Sequence, residues 1–208
     1  MRKLLLLFLL ICNTAWATGV SGLNYTTYRG TGATPSINPL YYSTPRTTGV
    51  VSTVNFNWGS GLVADSGLYD QVIIHYTGYF NPNTTGTYYF GTTSDDGAIL
   101  AVNGTTIDSH WREQGPTFWQ SNAINLTANQ PVSIDLWYYE NGGGAMIQLW
   151  WLDPVNGWQI IPSTMLATSS SYWAPQYSSN ITGAQSSRYS AAHTTQVNQA
   201  STSSVHID

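Results

Sequence analysis

The chain has 208 residues, of which 8% are charged and 13% are aromatic, and its formal net charge is -4. So few basic side chains provide no face that would neutralise phosphates, which argues against nucleic acid and anionic membranes as partners. Nine Trp and fourteen Tyr occur among abundant Thr, Ser, Asn and Gly, and this mixture favours strands and turns over helices.

The N-terminal residues have the layout of a secretory signal peptide. A basic start at residues 1–3 precedes an apolar run at residues 4–11 and the small-residue exit Ala15-Trp16-Ala17. The mature chain is therefore expected to begin near Thr18 and to be secreted, extracellular or displayed at a cell surface. The sole cysteine, Cys12, lies in this segment, so we expect no disulfide in the mature chain. No later run approaches the roughly 18 apolar residues of a membrane helix, so no membrane insertion is expected.

Short β-rich runs recur about every ten residues from Val50 onward, which is the spacing of a sandwich or barrel. Ile134, Leu136 and Tyr138 alternate with side chains of the opposite face, so this strand has one continuous apolar face. Asn103-Gly104 between two such runs predicts a β-hairpin. The sequence therefore predicts an all-β fold, an antiparallel β-sandwich. Its predicted strands are Leu23–Tyr28, Val50–Asn57, Gln71–Phe80, Gly86–Thr92, Ala98–Val102, Ile124–Leu126, Val132–Tyr139, Met146–Leu152 and Gln159–Ile161.

Composition divides the chain into a signal peptide at residues 1–17, a sandwich domain at residues 18–167 and a tail at residues 168–208. In the tail Ser, Thr, Gln, Asn and Ala dominate, and bulky aliphatic side chains almost vanish. Such a segment cannot bury enough apolar surface to fold alone, so it is predicted to be a linker or stalk. The last residues alternate like a strand and carry no stop signal. Further domains beyond Asp208 and a genuine polar terminus both agree with this pattern.

The most informative run extends from Thr93 to Gly104. It holds a Ser-Asp-Asp-Gly turn, a strand of the Leu-x-Val type and the Asn-Gly hairpin, and Trp111 follows it. Aromatic residues 88–90 precede the run, and residues 138–151 supply a Tyr-Tyr-Glu-Asn-Gly-Gly-Gly loop followed by Leu-Trp-Trp. In order and spacing these motifs resemble the PA14 domain family over about residues 23–166. The resemblance implies a PA14-type β-sandwich.

Asp95 and Asp96 are adjacent carboxylates in a turn, with no Lys or Arg nearby in sequence. They repel each other unless a cation neutralises them, and a hard divalent ion with oxygen ligands does so. Three glycines after Asn141 would let backbone carbonyls turn toward such an ion. The alternative is a metal-free Asp-Gly turn whose carboxylates cap local amides. In the family, paired aspartates bound to calcium mark the sugar-binding members, so the resemblance implies Ca2+ held by Asp95, Asp96, Asn141 and Gly143.

Aromatic and polar side chains near such an ion would contact a bound sugar by stacking and hydrogen bonding. The candidates are His110, Trp119 and Gln120 in the segment after the hairpin, with Glu140 and Gly142 beside the glycine loop. Glu140 is also a candidate further metal ligand, although a solvated charge at a strand end is the commoner role of such a residue.

The predicted function is a secreted, calcium-dependent lectin or adhesin module that binds glycans or glycoproteins on a cell surface or matrix. Two alternatives stay open: a structural subunit or tip domain of an extracellular fibre, and an accessory module of a secreted glycosidase. The chain is not expected to be an enzyme. It has no Gly-x-Ser-x-Gly elbow and no phosphate-binding glycine loop, and adjacent aspartates lack the roughly 5 to 10 Å separation of glycosidase carboxylates.

Overall fold

The structure is a computed structural model that describes residues 19–30 and 44–173. The predicted signal peptide and the predicted tail beyond Trp173 lie outside the described residues. No helix among the described residues has the length and apolar character needed to span a bilayer. The predicted all-β class is confirmed, with short 3-10 turns only at Ser163–Met165 and Ser170–Trp173 in the part described. The strands are β1 (Leu23–Arg29), β2 (Thr47–Val51), β3 (Asn55–Gly59), β4 (Val72–Phe80), β5 (Gly86–Tyr88), β6 (Phe90–Asp95), β7 (Gly97–Val102), β8 (Thr105–His110), β9 (Thr117–Gln120), β10 (Ile124–Leu126), β11 (Val132–Glu140), β12 (Ala145–Asp153), β13 (Gly157–Ile160) and β14 (Leu166–Ala167).

Two antiparallel sheets form the sandwich. Sheet A has the strand order β2-β1-β4-β11-β7-β8, and β14 adds to β4 beside β1. Sheet B has the order β13-β12-β6-β9, and β3 adds to the same edge of β12 as β13. A separate two-stranded sheet pairs β5 with β10. One open edge of the sandwich therefore brings β2 near β3, and the other brings β8 near β9.

The core lies between the sheets and is built from the apolar face of each strand. Leu100 and Leu136 from sheet A and Ile147 from sheet B are fully buried in it. Phe80 packs edge-on against Phe90, with ring centroids 5.2 Å apart. The alternation seen along the strands thus corresponds to the observed buried face, because successive side chains of a strand point to opposite sides of the sheet.

Several segments differ from the predicted strands. The predicted strand Gly86–Thr92 is divided between β5, which pairs with β10, and β6 in sheet B, and β8 was not among the predicted strands. The predicted strand Val50–Asn57 is divided between β2 in sheet A and β3 in sheet B, and the chain crosses between the sheets at residues 52–54 with Val54 buried. The segment after the hairpin, expected to be a loop, contains β9. Strand β9 has only four residues and pairs with β6 at the edge of sheet B, so tertiary pairing rather than local pattern decides its conformation.

Candidate metal centre

Two neighbouring crossings between the sheets build one end of the sandwich. The chain passes from β6 in sheet B to β7 in sheet A at Asp96, and it returns from β11 in sheet A to β12 in sheet B through residues 141–144. The register places Tyr139 opposite Gly97 and Met146 opposite Asp95. The two connections therefore lie side by side. The peptide bond between Asp95 and Asp96 is cis.

Three carboxylates meet between these connections. One oxygen each from Asp95, Asp96 and Glu140 lies within 4.8 Å of the others. Asp96 accepts hydrogen bonds from the backbone amides of Gln114 at 3.0 Å and Asn141 at 2.8 Å. Glu140 is only 1% exposed, and among the described residues neither of its carboxylate oxygens accepts a hydrogen bond of good geometry, although the nearby Gly142 amide opposes the much larger effect of burial on its pKa. A buried carboxylate with so few partners is costly unless another group compensates it.

Two further acids lie beside this cluster. Asp70 accepts a hydrogen bond from the Gly143 amide at 3.3 Å, and Glu113 accepts one from the side-chain amide of Asn141. With the three clustered carboxylates, five of the ten acidic residues of the chain gather at one end of the sandwich. Within residues 19–30 and 44–173, none of the five forms an ion pair with a basic side chain. The site therefore has an excess of negative charge that a cation would offset.

The carboxyl pKa values reflect this crowding. Burial, followed by repulsion from Asp96 and Asp95, raises the pKa of Glu140 to about 8. Burial and the neighbouring Asp96 raise the pKa of Asp95 to about 6. Burial also raises the pKa of Asp96, although the Asn141 and Gln114 amides oppose that rise. Without a cation, Glu140 therefore keeps its proton near neutral pH.

We expect the free energy of unfolding in EDTA to fall as the pH rises from about 5 to about 8. The pKa values of Glu140 and Asp95 lie above their unfolded values, so in this window the folded state binds more protons than the unfolded state, and stability decreases with pH. The loss should amount to a few kcal/mol, since one pKa unit corresponds to about 1.4 kcal/mol. Urea unfolding across this range measures it. A flat or rising stability would contradict the assignment of the buried acid.

Gln114 links the aspartate turn to the edge of the sandwich, and no motif in the sequence points to this residue. Its backbone amide donates to Asp96, and its side-chain Nε2 donates to the Asp96 carbonyl at 3.2 Å and to the Ser94 hydroxyl at 3.2 Å. Its Oε1 accepts from the Trp119 indole at 3.3 Å. Gln114 thus holds the turn in place through the backbone on both sides of Asp95.

His110, Trp119 and Gln120, expected to contact a sugar, lie instead around a cleft of about 390 Å³ between β8 and β9. The His110 ring stacks on Trp119 with centroids 3.8 Å apart, and His110 Nε2 lies 2.7 Å from the buried Asp108. In the part of the chain that the structure describes, no hydrogen bond joins these side chains directly to the clustered carboxylates. Trp119 reaches Asp96 only through Gln114.

The glycine loop makes its hydrogen bonds to the carboxylates mainly through amides. Asn141 donates its backbone amide to Asp96, while its carbonyl accepts from Gln71 at 3.3 Å. Gly143 has φ of +105°, a conformation that favours glycine. A Cβ at residue 144 would lie 3.2 Å from Asp95 Oδ2, so this loop closely approaches the acid cluster. Ligation by Asn141 and Gly143 stays a prediction, and the amide of Gly142 between them opposes the rise that burial causes in the pKa of both Asp96 and Glu140.

The donors present fit a calcium ion. Ca2+ takes six to eight oxygen ligands, and carboxylates are preferred among them. Asp95, Asp96 and Glu140 would hold the ion, and the buried, poorly hydrogen-bonded oxygens of Glu140 are the observation that favours it. Asn141 donates its side-chain nitrogen to Glu113, which leaves its Oδ1 as a further candidate ligand.

Two proteins that are similar in sequence to this chain are named as anti-sigma factors. The anti-sigma-I factor RsgI3 of Acetivibrio thermocellus is 33% identical over 116 residues, which are 56% of this chain and 18% of that protein. The structure of an anti-sigma factor domain-containing protein from Clostridium clariflavum is 26% identical with a TM-score of 0.60, covering 72% of this chain and 49% of that one. The chain thus spans about a fifth of the curated relative and half of this structural one. A PA14 sugar-binding domain from an RTX adhesin has a TM-score of 0.57 at 22% identity, covering 72% of this chain and 99% of that domain, and shows the fold alone.

These relatives correct two expectations from the sequence. The lectin or adhesin function is wrong, because the 33% and 26% identical relatives are named as anti-sigma factors. The same names also speak against the two alternatives, a structural subunit or tip domain of an extracellular fibre and an accessory module of a secreted glycosidase. The expected secreted or cell-surface location of a lectin is wrong for the same reason, because the relatives of 33% and 26% identity are named as anti-sigma factors. Glycan partners now have support only from neighbours that share the fold at low identity.

A family model that matches most of the described chain identifies the family. The family model described as the PA14 domain matches residues 19–164, which include both sheets and both connections of the acid cluster. The structure of the PA14 domain of the MpAFP antifreeze protein covers 74% of this chain and 94% of that chain, with a TM-score of 0.63 at 16% identity. The chain belongs to the PA14 domain family.

Proposed function

We propose that this chain is a non-catalytic, calcium-binding module of a sigma-factor regulator. The observation that carries the binding is Glu140, a buried carboxylate whose oxygens accept no hydrogen bond of good geometry among the described residues, within 4.8 Å of Asp95 and Asp96. The regulatory context comes from the two relatives named as anti-sigma factors, which are 33% and 26% identical to the chain.

Calcium at this position would act on both connections between the sheets. Asp95 and Asp96 belong to the β6–β7 connection, and Glu140 begins the β11–β12 connection. An ion bound by all three joins the two connections and replaces their mutual repulsion by attraction. This end of the sandwich is then rigid with the ion and looser without it. Such a difference is what a regulatory module needs, because a ligand acts on an equilibrium only through its differential affinity for two states.

Contact with a sigma factor is assigned to regions of the parent regulator other than this module. The curated relative extends well beyond the matched segment, because the match covers only 18% of that protein. In the described residues the acidic end carries five carboxylates without ion pairs, and this arrangement favours a cation rather than an acidic or nucleic-acid partner.

Isothermal titration of the chain with CaCl2 tests the binding. The wild-type chain should bind one ion, and Asp95→Asn should weaken the affinity by roughly 100-fold or more, because a neutral amide oxygen replaces a charged ligand of the cation. Asp135→Asn is the matched control, since Asp135 lies on the outer face of sheet A beside His75. Equal affinities of the wild type and Asp95→Asn, or no binding by the wild type, would refute the site.

The regulatory role is tested in the parent gene. Asp95→Asn, introduced at the chromosomal locus, should change the transcript levels of one set of promoters that share a sigma factor, while Asp135→Asn leaves them unchanged. An unaltered transcript profile in a strain whose protein has lost calcium binding would refute the regulatory role and leave the ion site intact.

A further inference from the structure

A pocket of about 430 Å³ opens at the edge of the sandwich where β2 faces β3. Sheet A contributes β1, β2 and β4 to its walls, sheet B contributes β3, and the β3–β4 loop covers one side. Val50 and Leu62 at the pocket are 47% and 48% exposed. The volume lies in the range of small-molecule sites. The pocket shares no lining residue with the acid cluster.

Aromatic rings dominate the lining. Tyr25 and Tyr76 face it from sheet A, with ring centroids 6.5 Å apart. Phe56 and Trp58 face it from β3 as a stacked pair with centroids 5.1 Å apart. Aromatic rings that border such a space attract a cation by their quadrupoles, and the attraction grows when the cation is desolvated.

The negative charge at the pocket also favours a cationic ligand. Asp65 is its charged lining residue, and Asp65 Oδ2 accepts a hydrogen bond from the Tyr25 hydroxyl at 3.2 Å. Arg46 lies close to this loop but donates from Nε to the Ser66 carbonyl at 2.6 Å. Within the described residues no ion pair joins Arg46 to Asp65. The Asp65 charge therefore has a phenol as its partner and no cation.

The loop that carries Asp65 is fixed before any ligand arrives. Ala64 has φ of +48°, a conformation that costs energy for a residue with a side chain and persists only where the surroundings impose it. The Val63 amide donates to the Leu68 carbonyl at 2.9 Å. The Asp65 carbonyl accepts from the Thr47 hydroxyl at 2.7 Å. A preorganised wall of this kind reduces the ordering cost of binding.

We propose that this pocket binds a cationic organic group, an ammonium or quaternary ammonium, between its aromatic rings and the Asp65 carboxylate. The rings supply the cation–π faces, and Asp65 supplies the counter-charge at the rim. The aliphatic residues at the pocket give the methyl or methylene groups of such a ligand an apolar contact. The inference is independent of the calcium site.

Choline is the probe, and 3,3-dimethylbutan-1-ol is its neutral carbon isostere. The two have nearly the same shape, so the difference between them isolates the charge. Each is titrated into the 15N-labelled chain in EDTA, and amide and indole shifts are followed at Trp58 and Ala64. Choline should give saturable shifts at both residues and bind roughly tenfold more tightly than the isostere. This comparison uses the wild-type chain, so it does not depend on the folding of any variant.

Asp65→Asn then separates the contribution of the Asp65 charge from that of the aromatic rings. It should weaken choline binding by roughly tenfold and leave the isostere unchanged, while Asp135→Asn changes neither. Equal binding of choline and the isostere would overturn the proposal, and so would the absence of saturable shifts at Trp58 and Ala64 up to roughly 50 mM choline. Since EDTA is present throughout, failure here is distinguishable from failure of the calcium site.

Discussion

Removal of calcium at pH 8 is expected to lower the thermal unfolding midpoint of the chain by roughly 5 to 10 °C. A ligand that binds only the folded state and is present at 100 times its dissociation constant stabilises that state by about 2.7 kcal/mol. In a domain of this size, about 1 kcal/mol shifts the midpoint by roughly 2 to 4 °C. Calorimetry of one sample in CaCl2 and in excess EDTA measures the shift.

The shift should depend on pH with a definite sign. Protons compete with the ion for Glu140, whose pKa is raised to about 8, and for Asp95, whose pKa is raised to about 6. Calcium must displace these protons to bind, so the stabilisation by the ion should shrink as the pH falls from 8 to about 5. Asp96→Asn should remove it, and Asp135→Asn should retain it. An equal shift in Asp96→Asn would contradict the assignment of the ligands.

Much of the fold could be predicted because local and global signals agree. The alternation of Ile134, Leu136 and Tyr138 marks the face of β11 that is buried in the core, and Asn103-Gly104 adopts positive φ at both residues as the hairpin requires. The break between β2 and β3 was missed, because nothing in the local pattern shows that a continuous β-rich run changes sheets. That change is decided by which strands the two halves pair with.

The sequence indicates only some members of the acid cluster. Asp95 and Asp96 are adjacent and therefore conspicuous, whereas Asp70 and Glu113 are brought near them by topology. Glu140 did carry a signal. It continues the alternation of Leu136 and Tyr138 by one more step, which places it on the core face and accounts for its burial.

The predicted ligand-contact residues lie at the edge of the sandwich for a structural reason, and their contact with a ligand stays a prediction. A loop free to fold over the ion would have carried Trp119 and Gln120 toward it. Because these residues form β9 and pair with β6, they line the β8–β9 cleft, and Gln114 occupies the place beside Asp96. The lectin interpretation rested on the same acid pair. A shared scaffold does not fix what the protein regulates or binds.

Glu140→Gln should separate the effect of the buried carboxyl on the free energy of unfolding from its contribution to calcium binding. In EDTA at pH 8 the variant should be more stable than the wild type by about 1 to 3 kcal/mol, because a neutral amide replaces a carboxylate that is desolvated and repelled by its neighbours. Near pH 5 the difference should nearly vanish, since Glu140 is then protonated in the folded wild type.

The same substitution should weaken calcium binding by roughly 100-fold, since an amide oxygen replaces a charged ligand. Urea unfolding in EDTA and calcium titration of the same samples measure the two effects. Asp135→Asn is the control, because Asp135 lies on the outer face of sheet A beside His75 and outside the acid cluster, so both of its effects should be small. A Glu140→Gln variant that is less stable than the wild type in EDTA at pH 8 would show that the acid is stabilised in the folded state. Burial of the Glu140 carboxyl would then no longer favour a cation at this end of the sandwich.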